Sequence, residues 1–147
     1  MNKSLPNKWI RKAISDVLNN VLVDGIGIPI FDTRVSKNMN KAIPMHYILM
    51  TTQSNEVDKG TKCEWNWESN ILLDIITSYE LPGNPGSRVL ADDILDTAKD
   101  LTKDLVLAPS SGLKILTTKQ SFPNDLSTTT QNENIFRNFL RLEFHIV

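Results

Sequence analysis

Cysteine is nearly missing from this sequence. Cys63 stands alone among 147 residues, which excludes a disulfide framework and a cysteine-based zinc site. Histidine is scarce as well. His46 and His145 are the only two, and neither has a second histidine or a carboxylate at metal-ligand spacing such as the helical His-Glu-x-x-His pattern. No apolar stretch reaches the length of a bilayer span, and residues 1–12 lack the apolar centre of a secretory signal. Charges nearly cancel, with 16 basic against 17 acidic residues and a formal net charge of −1. The basic excess of a dedicated nucleic-acid binder is therefore absent. These absences lead to the expectation of a soluble single domain, residues 1–147, made in a reducing cytosol, with no cofactor and no membrane association. A chain of this length can bury a core without disulfides or metal.

What is present is pattern. From Asn134 to Val147 apolar and polar residues alternate, with Phe136, Leu140, Leu142, Phe144 and Ile146 on one parity and Arg137, Arg141, Glu143 and His145 on the other. That period of two marks a half-buried strand, expected inside a sheet. Near the start, Ile10, Ala13, Ile14, Val17, Leu18 and Val21 fall at three-and-four spacing, the stripe of an amphipathic helix. Ser4 would cap it, Pro6 suits its first turn, and Asp24-Gly25 would stop it. Lys8, Arg11 and Lys12 ride on its outer, solvated side.

Short strands and a loop follow. Ile28 to Phe31 reads as one brief strand, which Pro29 pushes to an edge or a strand start. Arg34 to Ala42 reads as a polar loop. Pro44 to Thr52 reads as a strand whose unbroken apolar middle implies cover on both faces, and Gln53 to Gly60 as a polar turn. From Cys63 to Tyr79 one parity holds throughout, so the stretch is one long bent strand or two in register, and its β-branched and aromatic content disfavours a helix. Trp65 and Trp67 share the apolar parity, the position of core residues or interface anchors.

Leu81 to Gly86 is the strongest turn, and its glycines flank prolines instead of forming a phosphate-cradling loop. A second helix is expected from about Arg88 to Lys103 after Ser87 as cap, with Leu90, Ile94, Ala98 and Leu101 buried. Asp92, Asp96, Asp100 and Asp104 recur at every fourth position, where like charges repel slightly and must point away from the core. Asp74 and these aspartates have the oxygen chemistry for a divalent ion, but without further ligands a solvated face is the better account. Leu113 to Thr118 reads as a strand and Phe122 to Asn132 as a Ser/Thr-rich loop. No nucleophile–base pair or metal cluster is assembled by adjacent motifs, so no catalytic, cofactor or metal residue is assigned, and an enzyme is not expected.

The expected order is helix, strand, strand, strand, helix, strand, strand: an α+β fold with a mixed, mostly antiparallel sheet covered on one side by two helices. Over nearly its whole length the chain resembles the tail-completion or tail-terminator family of tailed bacteriophages, small α+β proteins that join a phage head or neck to its tail. The resemblance lies in the opening helix Trp9 to Leu22, the strand Ile28-Pro29-Ile30-Phe31 after it, and Pro44-Met45-His46-Tyr47-Ile48-Leu49-Met50, which is similar to the family's "Pro-Tyr-Ile-Val" strand. It continues in Ile71 to Thr77 before the second helix and in Arg137 to Val147 at the close. The chain departs from the family in its Ser/Thr-rich insertion and doubled tryptophans. The resemblance implies a virion protein forming a homo-oligomeric ring, six-fold or twelve-fold, between portal or connector and tail proteins, through which DNA passes without specific binding. Within such a ring Trp65, Trp67, Arg34, Lys37 and Lys41 are expected at interfaces, and Asp92, Asp96, Asp100 and Asp104 toward the channel. Two other classes stay open, a small nucleic-acid-binding α+β module and a small enzyme. Trp65 and Trp67 alternate with Glu64, Asn66 and Glu68 instead of basic residues, which counts against the first.

Overall fold

The computed structural model describes residues 5–32, 45–61, 64–83 and 85–147, with the side chains of 58–61 and 64–65 left aside. Helix α1 spans Asn7–Leu18 and buries Ile10, Ala13, Ile14 and Leu18, with Pro6 at its N-cap position. It ends four residues short of the expected Leu22. Asn20 adopts φ 49, and the chain turns into strand β1 (Val21–Val23). Asp24 and Gly25, at φ 52 and 78, then close a tight hairpin with β2 (Ile26–Ile28). Two consecutive left-handed residues suit the twist of a two-residue hairpin, and the β-branched valines favour its ladder over another helical turn. Asp24-Gly25 is thus a hairpin turn and not a helix stop.

Pro29 splits the expected single strand. Beyond it β3 (Ile30–Asp32) runs parallel to β4 (His46–Thr61), with Ile30 opposite Ile48, and the Pro29 carbonyl accepts the Ile48 N–H at 2.9 Å. Strand β4 overturns two expectations. Its apolar stretch is covered on one face only, since Ile48 and Met50 are buried while Tyr47 and Leu49 are half-buried. The polar run from Gln53 continues the strand instead of turning, because its partner is equally polar: Ser54 faces Asn70, Asn55 faces Ser69 and Glu56 faces Glu68. Register shifts between Met50 and Gln53 and between Asp58 and Thr61 interrupt the ladder.

Strand β5 (Glu64–Glu80) is one continuous element of 17 residues. After the turn comes α2 (Val89–Thr102), then a 3-10 turn at Pro109–Ser111, β6 (Ile115–Ser121), β7 (Leu126–Thr129) and β8 (Glu133–Ile146). β7 lies inside the expected loop. The strand order is β3-β4-β5-β8-β6, with β7 beside β8 along the β6 edge. All pairings in this sheet are antiparallel except β3 with β4. Strands β5 and β8 pair over fourteen positions, from Trp67–Ile146 to Glu80–Glu133, so the last strand sits inside the sheet.

Both helices cover the same face. Ile71, Leu73 and Ile75 of β5 and Leu140, Leu142, Phe144 and Ile146 of β8 form the core with α1 and with Ile94 and Ala98 of α2. On α2 the buried stripe is Ala91, Ile94, Ala98 and Thr102. Leu101 is 42% exposed, a correction to the expected stripe. Thr102 takes the inward position because its hydroxyl donates to the Ala98 carbonyl at 2.7 Å, which satisfies a buried polar group within the helix. The architecture is α+β, a mostly antiparallel mixed sheet with two helices on one side.

Candidate functional site

Of the residues expected at interfaces, Arg34, Lys37 and Lys41 lie outside the described residues, as does the Trp65 side chain. Trp67 is 8% exposed and belongs to the core, opposite Val57 on one side and Ile146 on the other. Its ring is packed within the chain's own core.

The aspartate row is not uniform. Asp92, Asp96 and Asp100 lie on α2 and are exposed, while Asp104 falls beyond the helix end at Thr102. Lys99 lies 3.9 Å from both Asp96 and Asp100, weak exposed pairs. Asp92 is committed elsewhere. The Asn138 side-chain amide, 2% exposed, donates to Asp92 at 2.9 Å, and Arg88 donates to the Asn138 carbonyl oxygen at 2.8 Å. Next to the row, Asp93 shares a hydrogen bond with Asp24, which holds the Asp93 carboxyl above its usual range. The neighbouring aspartates act in the same direction by repulsion.

The face of the sheet away from the helices carries the least expected group. Asp74 is 1% exposed, not solvated, and Arg137 grips it with two donors, one of them Nε at 3.3 Å from Oδ1. A buried carboxylate persists when it is paired and hydrogen-bonded in this way. The hydrogen bond to Asp74 raises the Arg137 guanidinium further above its ordinary value, and the guanidinium lies 5.3 Å over the Phe139 ring. Burial first, then the Asp74 charge, pushes the Tyr47 phenol up. Around this pair the face is apolar, with Phe31 edge-on to Tyr47 at 6.0 Å and half-buried Leu49, Leu72, Ile76 and Ile135. Toward the other end it turns acidic: Glu56 stands directly opposite Glu68, Glu68 pairs with His145, and Glu143 lies 3.9 Å from Lys119.

Strand β7 is held without burying any of its own side chains, since Leu126, Ser127, Thr128 and Thr129 are all exposed. Arg88 fastens this region. Besides Asn138, it donates to the Leu126 carbonyl at 3.0 Å and pairs with Asp125 at 3.1 Å. The same guanidinium sits 5.3 Å over Phe136.

The concavities are shallow. One of about 260 Å³ is lined by Tyr47, Ile76, Ser78, Glu80 and Glu133 among others. Another, of about 440 Å³, lies between α1 and β3 beside Lys8, Arg11 and Lys12, where Arg11 is already paired with Asp32. Among the described residues no group of three or more His, Cys, Asp or Glu is placed to hold a metal ion. His46 is half-buried against Tyr79, ring centroids 5.2 Å apart, and burial lowers its pKa. No helix among the described residues is long and apolar enough to cross a membrane.

No protein-family model matches the chain, and no curated protein matches it. A similar solved structure is a chain of the "Virion of native gene transfer agent (GTA) particle", with a TM-score of 0.49 and 11% identity, covering 95% of this chain and 90% of that one.

Sequence reasoning missed the Arg88–Asn138–Asp92 network and the Asp74–Arg137 pair. A charged residue interrupting an apolar strand, as Asp74 interrupts Leu73 and Ile75, was the available signal. Arg137 on the polar parity of β8 was its counterpart, and only strand register could join the two.

Proposed function

We propose that this protein is a structural virion component of a phage neck or tail, a homo-oligomeric ring, six-fold or twelve-fold, that joins head or portal to tail and lets DNA pass. One observation carries the reading: helices cover one face of the sheet, while among the described residues no helix covers the other face and no further strand pairs with either edge. A subunit built this way has two different sides, the requirement for a head-to-tail ring. The order of elements in the resembled family supports the same reading. Exposed carboxylates on α2 suit a channel wall, because negative charge does not hold phosphates. They also disfavour the nucleic-acid-binding alternative. In this reading Asp96 and Asp100 border the channel, and the neighbours are portal or connector and tail proteins.

The deciding measurement is mass. The purified protein, and the protein within purified particles, should be present as a fixed multiple of one subunit, with a ring visible by electron microscopy. A single copy in both settings overturns the reading.

A further inference from the structure

We infer that copies of this chain join edge to edge, the β6–β7 edge of one pairing antiparallel with the β3–β4 edge of the next. The inference rests on the ring reading above and adds the surface that builds the ring.

Strand β7 is the first observation. It buries no side chain, so its own packing gives no reason for it to be a strand. It is nevertheless held flat against β8 and clasped by Arg88. The Thr130 N–H donates to the Glu133 carbonyl at 2.8 Å and closes the hairpin between β7 and β8. Bonded and non-bonded pairs alternate along an antiparallel ladder. The backbone groups of Thr128 and Leu126 therefore face β8, and those of Ser127 and Thr129 face outward. The strand itself has no charge, proline or bulge, the devices that keep edges from pairing. Among the described residues no strand pairs with its outer side.

The opposite edge is alike. Strand β3 covers β4 only at Ile48–Met50, so from Gln53 onward β4 has no strand on its outer side among the described residues.

Strand direction is compatible with a second copy in the same orientation. β6 and β7 run against β8, β8 against β5, and β5 against β4. A copy set alongside without being flipped therefore brings its β4 antiparallel to β6 and its β3 antiparallel to β7. The contact is heterologous, so it repeats and closes into a ring where the rotation allows.

Charge agrees with this arrangement. On the open face Glu56, in the free part of β4, stands opposite Glu68, a like-charge pair that destabilises a sheet. Glu68 has His145, while Glu56 has no cation among the described residues. On the other edge Lys119 of β6 is on the same face, exposed, and only 3.9 Å from Glu143 at its closest. Its row lies one step from that of Glu56, because Lys119 faces Glu143, Glu143 faces Asn70 and Asn70 faces Ser54. Joining the edges brings Lys119 beside Glu56.

The test uses the whole chain and reads mass by light scattering and native mass spectrometry, with circular dichroism to follow the fold. Ser127→Pro removes an outward N–H, which an edge strand tolerates. Lys119→Glu acts at a separate point and keeps the test valid if the proline variant does not fold. Wild type should be a single oligomer, each variant should shift to monomer with an unchanged spectrum, and Lys119→Glu with Glu56→Lys together should restore the oligomer. If wild type is oligomeric and both folded variants stay so, edge pairing is overturned while the ring reading stands. If the variants dissociate but the charge swap restores nothing, the head-to-tail partner is wrong, and a two-fold β7–β7 contact or another protein's strand takes its place. A wild type present as one copy in solution and in particles removes the ring reading and this inference together.

Discussion

The two faces of the central sheet are built by the same strands and do different work. Toward the helices, β5 and β8 present Ile71, Leu73, Leu140, Leu142 and Phe144, all buried. One residue out of step, the same strands present Asp74, Ile76, Arg137 and Phe139, with an ion pair of buried Asp74 and half-buried Arg137 where the first face has apolar packing. Alternation along a strand lets neighbouring residues answer to separate demands. The covered face supplies non-directional stability. On the open face the Asp74–Arg137 pair joins β5 to β8.

Variants can break this contrast. Trp67→Ala strikes the covered face and should have the largest effect, about 3–5 kcal/mol of stability by denaturant unfolding, the range for removing a core aromatic. A wild-type midpoint would show that the ring is not packed as described. Asp74→Ala strikes the open face. Losing one partner of a buried pair costs about 3–5 kcal/mol when both are buried. Arg137 is 39% exposed and partly screened, so about 2 kcal/mol is expected. Asp74→Leu combined with Arg137→Leu should recover most of that loss, and failure to recover would mean that the pair contributes more than the cost of leaving one charge alone.

A third variant tests the link between helix α2 and the sheet. Asp92→Ala leaves the buried Asn138 amide without its acceptor and should cost about 1–2 kcal/mol, with faster hydrogen exchange at the N-terminal turn of α2. His46 sharpens the pH behaviour of the covered face. Its folded pKa lies below 6.5 because of burial, so below 6.5 the unfolded chain binds more protons. The stability this histidine contributes is present above 6.5 and is lost as pH falls through the lowered value. Thermal melts of His46→Phe should lack that part of the acid loss, and an unchanged profile would assign it to other groups. The smallest effect belongs to Asp96→Asn with Asp100→Asn, where relief of like-charge spacing should stabilise α2 by a few tenths of a kcal/mol. A clear loss of stability would mean that these carboxylates hold something within the subunit.

Long, regular patterns were legible from the sequence. The seventeen-residue alternation of β5 and the stripe of α1 carry enough repeats to define their own periods, and the two-helix, one-sheet class followed from them. Signals held by a partner were not legible. Gln53–Gly60 looks like a turn because its residues are polar, and it is a strand because Ser69 and Asn70 across the ladder are polar too. β7 is Ser/Thr-rich in a region with no apolar parity, so nothing local separates it from a loop. Asp74 and Arg137 stand 63 residues apart, and a pairing at that distance exists only once the register of β5 and β8 is set. The aspartate row was correctly placed on an outer surface for Asp92, Asp96 and Asp100. Asp104 is exposed as well, just past the end of α2 at Thr102.

The ladder between β5 and β8 has a mechanical consequence. Fourteen paired positions lie side by side along two strands, so tension applied along the strand axis loads them in shear, and they must give way nearly together. β7 meets β8 at four positions next to a hairpin turn, and tension there opens one pair after another. Under load the chain would therefore release β7 while the central ladder stayed whole.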